Sequence, residues 1–369
     1  MRSVRIWLFC LALCGCGWLA TGWLNPVIAA DDKEKAISKP AAVEGEIQFE
    51  GRGEGFQPEP AKDECPSTFG PIVTDTAIPI ETGKFALQPT FGLSFATNNF
   101  SPSWRRISAG GDFKSFGMSW KFTYGLWNNL EVYAVIPYIH NWASNVSEPG
   151  PRGERAADFG GLGDINLTFK YRLVEETQAA PTVSAIFSPT FPSGRFRRLN
   201  PGRLGMDQLG SGSYTFTTGL NVSKYLSPFI VYGNFWYTMG TAYTSREDRS
   251  PLVHVLDENG VETGELAPGD PSATNVRNYP RDFITVNLAA EYPMTKKWIA
   301  LVELTSTWEA GRLFGHKANL APAALLSIVP GIEYMATDKF SLALGVQIDL
   351  AGKETTANIT PLLSMVYAF

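Results

Sequence analysis

Only three histidines occur, His140, His254 and His316, so proton transfer at neutral pH would run through one of them or through a carboxylate of raised pKa. A serine, a histidine and an acid gathered across strands would make a lipid hydrolase, and an aspartate with a histidine on loops would make a peptidase. Neither arrangement has a recognisable signature here, and His254 and His316 fall in polar stretches where imidazoles are ordinarily solvated. No catalytic residue is predicted. Gly160, Gly161 and Gly163 resemble a phosphate loop, but they lead into a strand pattern, and without a helix N-terminus nothing there holds an anion. No cofactor site is predicted either. Cys10, Cys14 and Cys16 lie in an N-terminal leader, which leaves Cys65 alone. That excludes an internal disulfide framework, a cysteine-based zinc site and a haem attachment, so no metal is expected. Arg195, Arg197, Arg198 and Arg203 beside Phe196, and Arg105 and Arg106 after Trp104, suit bidentate phosphate contact, with a solvated loop as the equal alternative.

The other ionic residues follow a spacing rule. In GDINLTFKYRL, Asp164, Asn166, Thr168, Lys170 and Arg172 alternate with Ile165, Leu167, Phe169, Tyr171 and Leu173. Successive side chains of a strand point to opposite faces, so one face must leave water and the other must not. The same alternation recurs twelve times between Lys84 and Phe369, and Lys121, Glu131, Asp164, Lys170, Arg172, Glu291, Glu303, Glu309, Glu333 and Asp349 all oppose the apolar set. The connections alternate long and short, except that the last outer one, AGKET, is brief. An even strand count with sorted loops predicts an all-β fold: a closed antiparallel up-and-down transmembrane β-barrel of about twelve strands. A lysine or arginine on the lipid face costs about 2–4 kcal/mol at mid-membrane, which explains the single parity. Closure leaves no backbone edge unpaired in hydrocarbon. Trp127, Tyr171, Tyr292, Trp298 and Phe340 at the short-turn ends, with Tyr138, Trp142, Tyr214 and Trp308 at the long-loop ends, form two aromatic girdles. His140 shares the parity of Ile136 and Tyr138 and should point outward beside Trp142.

Arg2 and Arg5, the apolar run Ile6 to Leu24, and Ala29 and Ala30 read as a secretory signal, with lipidation at Cys16 as the second option. The domains expected are a signal peptide over 1–30, a flexible periplasmic extension over 31–80 and the barrel over 81–369. A plug of the lumen near the end of the extension is the less favoured reading of that stretch. Loss of Arg2 and Arg5 takes the formal charge from −5 to −7, which speaks against nucleic acid. The location expected is the bacterial outer membrane, with both termini periplasmic, outer-membrane lipid and lipopolysaccharide as partners, and a monomer. Lys121, Glu131, Asp164, Lys170, Arg172, Glu291, Glu303 and Asp349 are the expected lumen-lining set, read either as a conduction path or as salt bridges filling a narrow bore. Inward Leu301, Leu325 and Leu362 would narrow that bore and favour small or apolar solutes.

The ending MVYAF, with Met365, Tyr367 and Phe369 at alternate positions, resembles the signal read by the barrel-assembly machinery. TDTAIPIETGKFALQPTFG, GLWNNLEVYAVIPY and GGLGDINLTFKYRL resemble the phenol meta-pathway degradation family of transporter-like outer-membrane barrels. The resemblance covers about residues 74–369 and implies passive uptake of small hydrophobic or aromatic compounds, with no cofactor and no enzymatic step. The alternative from a different class is a non-transporting structural or partner-binding barrel acting through its 245–280 loop.

Overall fold

A computed structural model describes residues 68–369, apart from 148, 151–152, 198, 248–251, 257–261, 269–273, 316 and 319–321. The signal peptide expected over residues 1–30, and residues 31–67, lie outside the described residues.

Twelve long strands form one closed antiparallel barrel. They are β1 (Phe85–Phe100), β2 (Asp112–Trp127), β3 (Leu130–Ser144), β4 (Ile165–Val174), β5 (Thr182–Phe191) and β6 (Thr215–Leu226), then β7 (Phe229–Gly240), β8 (Asp282–Pro293), β9 (Trp298–Ala310), β10 (Ala324–Thr337), β11 (Phe340–Lys353) and β12 (Thr355–Ala368). Each pairs with its sequence neighbours, and β12 returns to β1, where Leu87 faces Tyr367 and Phe95 faces Ile359. The predicted strands are all present. Short turns such as Asn128–Asn129 and Asp338–Lys339 use residues that reverse a chain through local side-chain hydrogen bonds.

Facing follows the alternation. Phe235 and Leu344 are each 55% exposed, whereas Lys170, Glu291 and Glu303 are 0% exposed, so the ions are inside and the large apolar side chains outside. The inner wall is asymmetric. Tyr133, Ile186, Tyr232 and Trp236 fill the β3–β7 side. Thr90, Gly92, Ser94, Ser119, Thr360 and Ser364 share the inward parity on β12, β1 and β2 and are small.

Three stretches expected to be loops carry strand, the shortest being Arg106–Ile107, which pairs with Asn99 and Phe100 of β1. Ala157–Leu162 continues the ladder beside the outer half of β3, and the chain breaks at Gly163 and Asp164 before β4 resumes. Within the 245–280 loop, two ribbons pair Tyr243–Glu247 with Thr274–Asn278 and Leu252–Leu256 with Glu262–Pro268.

Candidate functional site

The lumen is crossed by residues 68–81, which precede β1. Gly70, Pro71 and Pro79 deny this segment a helix or a ladder, so its backbone donors must find partners on the wall. Glu303 of β9 serves three of them, more than any other wall residue. Its carboxylate accepts from the amides of Ile72 at 2.8 Å, Val73 at 3.1 Å and Thr74 at 2.6 Å, three successive N–H groups closing on one anion. Ile72 is seated in a dry cluster with Leu301, Val329, Ala343 and Leu362. Gly345 leaves the room for it, because a Cβ there would lie 2.8 Å from the Ile72 Cδ1. Thr68 donates to Glu333 at 2.7 Å.

The next residue reaches the opposite wall. The Asp75 carboxylate lies 3.1 Å from Lys170 and 3.3 Å from Lys121, and accepts from Asn221 at 2.9 Å and from the Tyr133 hydroxyl at 3.4 Å. Asn234 clamps its backbone, accepting from the amide at 2.9 Å and donating to the carbonyl at 2.8 Å. Lys170 also pairs with Glu131 at 2.8 Å, and Glu131 accepts the Ile80 amide at 2.7 Å. The Ala77 amide donates to Ser223, and Ser184 donates to the Ala77 carbonyl. The segment leaves the lumen over Gly125, where an added Cβ would meet the Glu81 carbonyl at 2.1 Å, so only glycine tolerates the crossing.

Electrostatically the hub is balanced, with Lys121 and Lys170 against Asp75 and Glu131. The Lys121 ammonium also lies 4.1 Å from the centre of the Tyr133 ring. Across the lumen, Glu291, Glu303 and Glu333 are served by uncharged donors, the Tyr232 hydroxyl reaching Glu291 at 2.8 Å. Such a network can hold a peptide segment firmly, because removing one partner of a buried pair strands the other charge at about 3–5 kcal/mol.

The structure thus brings Lys121, Glu131, Lys170 and Glu303 together around residues 68–81. The extension expected to be flexible up to residue 80 ends in a segment fixed inside the barrel. The reason is physical: its order comes from wall side chains, and no local pattern in 68–80 announces it. Three other expected lumen residues sit elsewhere. Asp164 precedes β4 and binds the following outer loop, accepting from the Gly194 amide at 2.9 Å and the Ser211 amide at 2.7 Å. Arg172 lies at the short-turn rim, donating to the Asn129 side chain at 2.8 Å, with Glu175 at 3.6 Å. Asp349 secures the outer end of β10–β12 by accepting from Ser327 at 2.7 Å and the Asn358 amide at 2.8 Å.

The C-terminal aromatics lie at the β12–β1 seam. Phe369 lies 5.4 Å from Phe85 and 4.5 Å from Tyr367, ring centre to ring centre, its amide donates to the Phe85 carbonyl, and Met365 stands opposite Leu342. Of the arginines expected to suit phosphate contact, Arg106, Arg195 and Arg203 are turned onto the protein. Arg106 donates to the Asp349 carbonyl at 3.0 Å and lies over the Phe100 ring. Arg195 pairs with buried Asp207 at 3.2 Å, and Arg195 and Arg203 both lie against the Phe159 ring, at 5.1 and 4.3 Å. Arg197 lies over Phe196, and Arg198 falls outside the described residues. His140 stacks on Trp142 at 4.2 Å with Asp158 at 3.4 Å, while His316 and the His254 side chain are not among the described groups. Asp75, Tyr133, Asn221, Asn234 and Ser223 are the residues that sequence reasoning missed. The available signal was faint: Asn221 is a lone amide among the inward hydroxyls Thr215, Thr217 and Ser223, and Asn234 a lone amide between the inward aromatics Tyr232 and Trp236.

Among solved structures, the chain is similar to the COG4313 outer membrane channel from Pseudomonas putida F1, with a TM-score of 0.58 at 16% identity over 79% of this chain and 98% of that one. Weaker likenesses are the translocator domain of autotransporter NalP from Neisseria meningitidis (TM-score 0.42, 12% identity, 79% and 90% covered) and the CymD monoaromatic hydrocarbon channel (0.38, 9%, 79% and 89%). No curated protein matches the sequence. The fold is that of an outer-membrane β-barrel. The profile of the family described as "Putative MetA-pathway of phenol degradation" matches residues 128–360, more than half of the chain and β3 to β11 in full, and the chain belongs to that family.

Proposed function

We propose that this protein is an outer-membrane channel for passive entry of small hydrophobic or aromatic compounds, acting without cofactor, energy source or catalytic step. The observation that carries the reading is a closed barrel whose interior keeps open space towards the long loops while a seated segment narrows its short-turn end. Family membership supports aromatic solutes as the cargo. The P. putida relative is an outer membrane channel by its own description. Its likeness supports the fold, and the cargo rests on the family.

In this reading Lys121 lines the path at the level of the plug, and Glu131, Lys170 and Glu303 hold the plug beside it. Both ends of the barrel chain meet at the short-turn side, where Phe85 and Phe369 pack, which supports periplasmic termini. The barrel is a monomer in lipid, Met365, Tyr367 and Phe369 are what the assembly machinery reads, and among the described arginines Arg105 and Arg197 are the ones we assign to lipopolysaccharide phosphates. The buried ion pairs favour one second reading, a non-transporting barrel closed by its own salt bridges. Planar-bilayer conductance, together with a solute panel in proteoliposomes, separates the two. A channel passes phenol-sized solutes and excludes disaccharides. A structural barrel leaves both at the rate of protein-free vesicles.

A further inference from the structure

The plug does not fill the bore evenly. Its hydrogen bonds and ion pairs go to β2 through β7, β9 and β10, and Ile72 is seated among residues of β9 to β12. β1 meets the plug across a narrow polar gap bounded by Gln88 and Lys121 on the wall and by Gly70, Pro71, Thr74 and Thr76 on the plug. Towards the long loops, a cleft is lined by Ser94 and Asn99 of β1, Ser115 of β2, Asn141 of β3 and Asn358 of β12, with Met206 over it. The wall shared by the two spaces carries the small inward residues Thr90, Gly92, Ser94, Ser119, Thr360 and Ser364 among the larger Gln88, Phe113, Lys121 and Leu362. Both spaces therefore lie on the same side of the lumen, one above the other.

We propose that solutes cross along the inner face of β12, β1 and β2 and pass the plug between Gln88 and Lys121 while the plug stays seated. The inference rests on the channel reading and adds the route. The outer opening has apolar side chains at Met206 and Phe113, and the gap below is polar, with the Gln88 amide, the Lys121 ammonium and the Asp75 carboxylate around it. A small aromatic ring carrying a hydroxyl suits both: the ring desolvates in the upper space and the hydroxyl finds partners at the gap.

The test fixes the plug and then obstructs the wall. The Thr76 and Ser223 hydroxyl oxygens are 3.5 Å apart, so T76C/S223C places two sulfurs within bonding reach, in a C65S background that removes the native thiol. The probe is phenol, followed by stopped flow into vesicles with a lipopolysaccharide outer leaflet. Influx through the oxidised double variant is expected to stay within about twofold of the reduced form. Adding Gln88→Cys and capping it with a bulky thiol reagent, with the lock closed and the Gln88→Cys thiol freed beforehand by selective reduction, is expected to cut influx about tenfold. Loss of influx on oxidation that a reductant restores overturns the route, because the plug would then have to leave. Unchanged influx after capping overturns it as well. If the wild-type chain admits no more phenol than protein-free vesicles, the channel reading itself has failed, and that result is separate from the other two.

Discussion

Replacing Asp75 by asparagine should loosen the plug without opening the barrel. The substitution keeps shape and backbone but removes the charge between Lys170 and Lys121, which lie 3.1 and 3.3 Å away. Breaking a buried ion pair costs about 3–5 kcal/mol. The lower end applies here, since Lys170 keeps Glu131 at 2.8 Å and Lys121 keeps the Tyr133 ring at 4.1 Å. A loss of about 3 kcal/mol corresponds to roughly a hundredfold rise in the population of the released plug. Amide hydrogen exchange reads that population directly, because exchange from a locally opened segment tracks its opening free energy. The amides of residues 72–77 should lose about a hundredfold in protection while those of β9 and β10 keep theirs. Unchanged protection at 72–77 would refute the anchoring argument. An equal loss in the strands would show that Asp75 holds the barrel as a whole.

Lys170→Met should be the most damaging single change in the wall, lowering stability by about 3–5 kcal/mol because it strands Glu131 and leaves Asp75 with Lys121 alone as counter-ion, whereas Arg172→Ala at the rim should cost about 0–1 kcal/mol. Urea midpoints of the two variants in lipid vesicles would rank them. Leu344→Arg, on the outward face, should destabilise the inserted barrel by about 2–4 kcal/mol, seen as a lower unfolding midpoint in bilayers. Removing Phe369 takes away its contacts with Phe85 and Tyr367, and should lower the yield of folded barrel in cells while leaving the urea midpoint of purified, refolded protein within about 1 kcal/mol.

The barrel was legible because a membrane imposes one rule on every strand. Lys170 and Arg172 could not share a face with Phe169 and Tyr171, so parity alone assigned inside and outside, and the turns supplied the count. The plug was not legible by that rule. Residues 68–81 take their conformation from Glu303, Asn234 and Asp75's partners, which are far away in sequence, so a Gly- and Pro-rich stretch reads as loop whether it is solvated or seated. The same limit explains Asp164 and Arg172. Parity says which face a residue occupies, not how high on the barrel it stands, and both belong to its rims. Tyr133 and Asn221 carried no charge to draw attention, and only the three-dimensional register brings them to Asp75.

The most direct test of the channel reading is the initial rate of phenol entry into lipopolysaccharide-faced vesicles as the amount of inserted wild-type protein is raised. A rate that climbs in proportion to protein, and that a disaccharide does not show, is the predicted result. A rate that stays at the protein-free level across the whole range would contradict it.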